Sequence, residues 1–159
     1  MKVEIYSREK MEGLLASLGE IKAAVISFHD CKELCGWVDD TYAPIDFCGR
    51  CSMLFEAGIP DIDWDELDEF RLDEESYLKE ADELAEFIYR AKAAGLDIIC
   101  QCEHGQSRSA GCAAAILEHF SGRGIDIFAN YSYYPSKLVY KRVLGALEAL
   151  FPPKARKMP

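Results

Sequence analysis

The chain has 159 residues, half of them hydrophobic and 29% charged, with a formal net charge of −10. That length accommodates one domain with a single good core, and the acidic balance argues against a general nucleic-acid or anionic-membrane partner. It contains no run of about 18 apolar residues, so a helical membrane span is excluded.

The first residues, Met1-Lys2-Val3-Glu4, lead into a strand-like segment rather than an apolar leader, and a cytoplasmic location is expected. Seven cysteines, an odd number, do not suggest a secreted disulfide framework and fit a reducing compartment.

In chain order, Lys2 to Tyr6 alternates apolar and polar residues and reads as a strand. Ser7 is a candidate N-cap for a helix whose buried face is Met11, Leu14, Leu15 and Leu18, and which Gly19 ends. Ala23 to Phe28 is nearly all apolar, as in a strand buried on both faces. His29 to Arg50 is irregular and long for a loop. Cys51 to Glu56 is a third strand candidate. Gly58 to Asp73 is the most acidic stretch, with Pro and Gly punctuation at its start.

From Glu74 a helical stripe of Tyr77, Leu78, Ala81, Leu84, Ala85, Ile88 and Ala91 predicts one helix that Gly95 ends. Leu96 to Cys100 is a strand, and Ala110 to Phe120 is a helix lined with small residues. Ile125 to Ala129 forms a short helix at most. Pro135 suits the start of the last helix, which buries Leu138, Val139, Val143, Ala146, Leu147 and Leu150. The expected architecture is a three-layer α/β fold: a mostly parallel sheet of four or five strands flanked by helices. It forms one domain over residues 1–153, followed by a loose basic tail at 154–159.

Between the fourth strand and its helix stands Cys102-Glu103-His104-Gly105-Gln106-Ser107-Arg108-Ser109. A loop that feeds a helix N-terminus turns several backbone N–H groups into one small space, where an anion is welcome. Gly105 lets the loop curl. Cys102 at the loop's start sits in that positive field, which favours the nucleophilic thiolate. Arg108 offers a planar donor fork that suits phosphate. The loop belongs at the carboxyl end of a central strand, where open α/β sheets place ligands.

The spacing of Cys, five residues, Arg and Ser resembles the signature of the cysteine-dependent protein tyrosine phosphatases. The segment Cys100 to Ala115, CQCEHGQSRSAGCAAA, is similar to the loop and helix of their small dual-specificity, bacterial type. The resemblance implies that Cys102 attacks phosphorus to form a phosphocysteine. Arg108 and the amides from Glu103 through His104, Gly105, Gln106 and Ser107 to Arg108 hold the phosphate oxygens. Ser109 supports the sulfur when phosphate leaves, with a helix N-cap as its alternative role.

A general acid is needed for the leaving oxygen, and the resemblance implies an Asp on an upstream loop. Asp61, Asp63, Asp65 and Asp68 are available, with Asp61 preferred because Ile59-Pro60-Asp61-Ile62 is similar to a stretch of the small bacterial members. No metal or cofactor is implied, and a monomer acting on a phosphorylated protein or peptide is expected. Two positions depart from the pattern: Gln101 stands where the family has His, and His104 where it has a small residue. Tyr131, Tyr133 and Tyr134 are expected to be partly core, with a place on the pocket rim as their alternative.

Four other readings stay open. Cys31, Cys35, Cys48 and Cys51 have spacings that suit a structural zinc. Cys100, a resolving partner for Cys102 by sequence distance, is expected on the opposite face of its strand. A phosphate-binding pseudophosphatase, which reads phosphorylated partners without turnover, fits the same motif. A rhodanese-like or arsenate-reducing thiol enzyme ranks lower, since low-molecular-weight arsenate reductases carry their loop near the N-terminus.

Overall fold

The structure, a computed structural model, describes residues 1–152; the basic tail at 154–159 lies outside the described residues. Four strands form one all-parallel sheet: β1 (Val3–Tyr6), β2 (Ile21–His29), β3 (Cys51–Gly58) and β4 (Ile98–Gln101), in the order β1-β4-β2-β3. Parallel neighbours need crossovers, and helices supply most of them. The crossovers hold α1 (Arg8–Leu18), α2 (Glu74–Tyr77) and α3 (Ala81–Ala93), and α4 (Arg108–Ser121), α5 (Ile125–Phe128) and α6 (Lys137–Leu150) follow the last strand.

Alternation along β2 builds two cores. Ala24, Ile26 and Phe28 face one packed with α3, α4 and α6, while Ala23 and Val25 face another with Met11 and Leu15 of α1 and with Ile45 and Phe47. The long segment between β2 and β3 therefore covers one face of the sheet through those two side chains. Ser7 caps α1, its hydroxyl accepting from the N–H of Lys10, and Gly19 closes the helix at φ +72°.

Some helix expectations change. The single helix expected from Glu74 is two, because the chain leaves helical geometry at Leu78 (φ −129°, ψ 76°). Tyr77 and Leu78 are both buried at this break. Arg142 of α6 donates to the carbonyls of Glu75 and Leu78 beside the break. Leu18 and Leu150, expected on buried stripes, lie at helix ends that overhang the core and are exposed. Pro135 does not open α6; it precedes the N-cap, Ser136, whose hydroxyl accepts from the N–H of Val139.

Candidate active site

The Cys102–Arg108 loop sits at the carboxyl end of β4, between β1 and β2. Gly105 has φ +66°, and a Cβ there would lie 2.5 Å from the backbone nitrogen of Ser7, so both conformation and space demand glycine. Three of the loop's carbonyls are anchored from outside it. That of Glu103 accepts from the N–H of Arg8, that of Gln106 from Tyr134, and that of Ser107 from Ser136. Among the described residues no peptide bond is cis. In a trans peptide the N–H points opposite the carbonyl. The N–H groups of His104, Ser107 and Arg108 are therefore turned away from those anchors, on the loop's other side.

Cys102 is buried, and its Sγ lies 3.1 Å from the Oγ of Ser109, itself fully buried. Ser109 is not the helix N-cap; that position belongs to Ser107, whose hydroxyl makes no capping bond and donates instead to Asp61. Gln101 is buried as well. Its Nε2 donates to the carbonyl of Cys102 at 2.9 Å, and its Oε1 accepts from Ser27 of β2 at 2.6 Å. A neutral amide, braced by the neighbouring strand, thus fixes the backbone of the thiol-bearing residue.

Arg108 is 2% exposed. Its Nη1 donates to Asp30 Oδ1 and to the carbonyl of Ile59, both at 2.7 Å, while its Nε is buried with no partner. Burial works against the guanidinium charge, but Asp30, Cys102 and Asp61 outweigh it and hold the pKa above its ordinary value. Asp30 is in turn held by Trp37, whose Nε1 donates to Oδ2 at 3.3 Å. Sequence reasoning passed over Asp30. The available signal was its place at the carboxyl end of the apolar strand beside β4, where ligands gather in such sheets.

Among the four acidic candidates, Asp61 is the one that touches the loop, its Oδ1 accepting from Ser107 Oγ at 2.7 Å. Asp63 is occupied in a capping box with Glu66 at a 3-10 turn, Trp64–Glu66. Asp65 and Asp68 are exposed, and neither has a hydrogen bond to the loop. A cleft of about 220 Å³ beside the loop is lined by Asp61, Asp63, Glu66, Ser107, Tyr134 and Ser136, among others. Glu103 stands 3.8 Å from Arg8, and His104 and Gln106 are exposed.

Three solved structures share this architecture. PTPMT1 in complex with PI(5)P superposes with a TM-score of 0.55 at 12% identity, covering 94% of this chain and 92% of that one. Human DUSP28 gives 0.52 at 16%, covering 93% and 92%. The human tyrosine phosphatase-like serine/threonine/tyrosine-interacting protein gives 0.51 at 17%, covering 91% and 86%. The fold is that of a dual-specificity-type cysteine phosphatase. At such identities the likeness speaks to the phosphatase fold alone. No protein-family model matches the chain, and no curated protein sequence matches it.

Within this phosphatase fold the remaining cysteine readings resolve. Cys35 is buried in a turn with Cys31, burial pushing its thiol up to about 11, while Cys48 is exposed. Among the described residues no group of three or more potential ligands is placed to hold a metal ion, so these thiols are not brought together as zinc would require. Cys100 does not lie opposite Cys102; both belong to the same core cluster, as residues two apart on a strand share a face. Tyr131 and Tyr134 are exposed rather than core, carried on the irregular segment that anchors the loop through Gln106.

Proposed function

We propose that this protein is a metal-independent phosphomonoester hydrolase. It acts on phosphotyrosine in proteins, and on phosphoserine and phosphothreonine as its short pocket walls admit them. The observation that carries the proposal is the arrangement of one loop. It sets a buried thiol 3.1 Å from a serine hydroxyl and buries an arginine whose Nε lacks a partner. A buried donor without a partner is a standing deficit of roughly 1–3 kcal/mol, and a phosphate oxygen removes it.

In the proposed reaction the Cys102 thiolate forms a sulfur–phosphorus bond as the bond from phosphorus to the leaving oxygen breaks. Arg108 and the free loop amides hold the three equatorial oxygens. Asp61 gives its proton to the leaving oxygen, then takes one from the water that attacks the phosphocysteine. Ser109 donates to the sulfur as it leaves as thiolate.

The cleft beside the loop presents Asp61, Asp63 and Glu66 and no lysine or arginine, and the loop itself holds Glu103 and no lysine. This favours a singly phosphorylated side chain over a highly charged inositol phosphate, although PTPMT1 was crystallised with PI(5)P. Seven free thiols suit a reducing setting, proposed to be the cytoplasm.

Hydrolysis of p-nitrophenyl phosphate by the wild type and Cys102→Ser tests the proposal. Turnover lost by at least about a thousand-fold in the variant is expected; equal turnover contradicts it. One neighbour carries the name of an interacting protein. Phosphopeptide binding without hydrolysis by the wild type would select the corresponding binding role.

A further inference from the structure

Three consecutive residues, Ile59 to Asp61, bring the acidic loop to the phosphate loop through four hydrogen bonds. The N–H of Ile59 donates to the carbonyl of His29, and its own carbonyl accepts from Arg108. The carbonyl of Pro60 accepts from the hydroxyl of Tyr77 at 2.8 Å. Asp61 then accepts from Ser107. Of these anchors, the Tyr77 hydroxyl comes from outside the sheet and the phosphate loop. Tyr77 is the last residue of α2.

We infer that Tyr77 is a positioning residue: its hydroxyl, by holding the Pro60 carbonyl, sets where the Asp61 carboxyl stands over the phosphate loop. The inference rests on the reading of Asp61 as the general acid.

The surroundings of Tyr77 support this role. The side chain is 2% exposed, so its hydroxyl needs a partner inside the protein, and Pro60 supplies it. Burial raises the phenol pKa well above its ordinary value; Arg108 opposes, and Asp61 adds to the rise. The group is therefore a neutral donor at any working pH, and it lies within electrostatic reach of both charged members of the site. Pro60 cannot donate from its own nitrogen and has a fixed φ, so fixing its carbonyl constrains the direction in which Asp61 leaves. Ile62, buried on the other side of Asp61, closes the segment from the far end. The acidic loop is thus docked before any substrate arrives.

The test compares Tyr77→Phe, Asp61→Ala and the double variant on phenyl phosphate, which has a poor leaving group, and on p-nitrophenyl phosphate, which has a good one. Tyr77→Phe keeps the ring and removes only the hydroxyl. It is expected to lower kcat/KM on phenyl phosphate about ten-fold, with little change in kcat/KM on p-nitrophenyl phosphate, because kcat/KM reports formation of the phosphocysteine, where a misplaced acid matters most when protonation is hardest. The double variant is expected to be no worse than Asp61→Ala. Equal losses on both substrates, or a further loss in the absence of the Asp61 carboxyl, would show a merely structural role and overturn the inference. A loss confined to phenyl phosphate in Asp61→Ala but absent in Tyr77→Phe overturns the inference and leaves Asp61 as the acid. Selectivity unchanged in both variants overturns the assignment of Asp61, and the role of Tyr77 with it.

Discussion

Arg108 keeps its charge inside the protein because Asp30 stands 2.7 Å from one corner of its guanidinium and the Ile59 carbonyl shares that corner. Removing one partner of a buried ion pair leaves the other charge uncompensated. Asp30→Ala is therefore expected to lower stability by about 3 kcal/mol and to weaken phosphate binding, since the fork loses the contact that orients it. Denaturant unfolding and phosphate titration measure both, and Asp30→Asn, which keeps an acceptor, should recover part of each; unchanged stability in Asp30→Ala would mean that Arg108 is held by other contacts. Asp30 and Arg108 are 78 positions apart, and nothing in the irregular segment that follows Asp30 marks it as a partner. Cys102, Arg108 and Ser109 were legible because their geometry is local: one loop and the first turn of one helix fix all three. Asp61 was legible only as one of four carboxylates, and its contact with Ser107 comes from tertiary packing.

The elements with strong periodicity stand where the sequence puts them, β2 and α4 above all, while the α2–α3 break was hidden by a stripe that runs through it without interruption. Buried Tyr77 and Leu78 sit at that break and both fit the apolar stripe, so the helical pattern carries no mark of it. Packing between α3 and α4 also sets a pH response. Tyr89 of α3 meets His119 of α4 with its hydroxyl 2.6 Å from Nε2. Burial lowers the His119 pKa below its ordinary 6.5, with Glu148 opposing. The unfolded chain then binds the proton more readily than the folded one. The His119 contribution to stability is therefore complete above pH 6.5 and declines as the pH falls below that value. His119→Gln is expected to flatten the fall in the denaturation midpoint on the acid side of neutrality, and an identical slope in wild type and variant would contradict this.

At the scale of the molecule, an all-parallel sheet gathers the carboxyl ends of β1, β2, β3 and β4, and the thiol, the arginine and the carboxylates that hold or face them come from those ends or from the loops that follow them. Tyr6 and Ser7 press on Gly105, Ser27 braces Gln101, Asp30 holds Arg108, Ile59 to Asp61 cover the loop, and Cys102 starts it. The crossover rule makes this convergence foreseeable from the order of elements alone; which side chains meet there is decided by register, which the sequence does not display. The most direct measurement is to quench the protein in acid during turnover of p-nitrophenyl phosphate and map any phosphate adduct by peptide mass spectrometry. The account predicts phosphate on the peptide carrying Cys102 in the wild type and none in Cys102→Ser; turnover with no adduct at Cys102, or with the adduct on another residue, would contradict it.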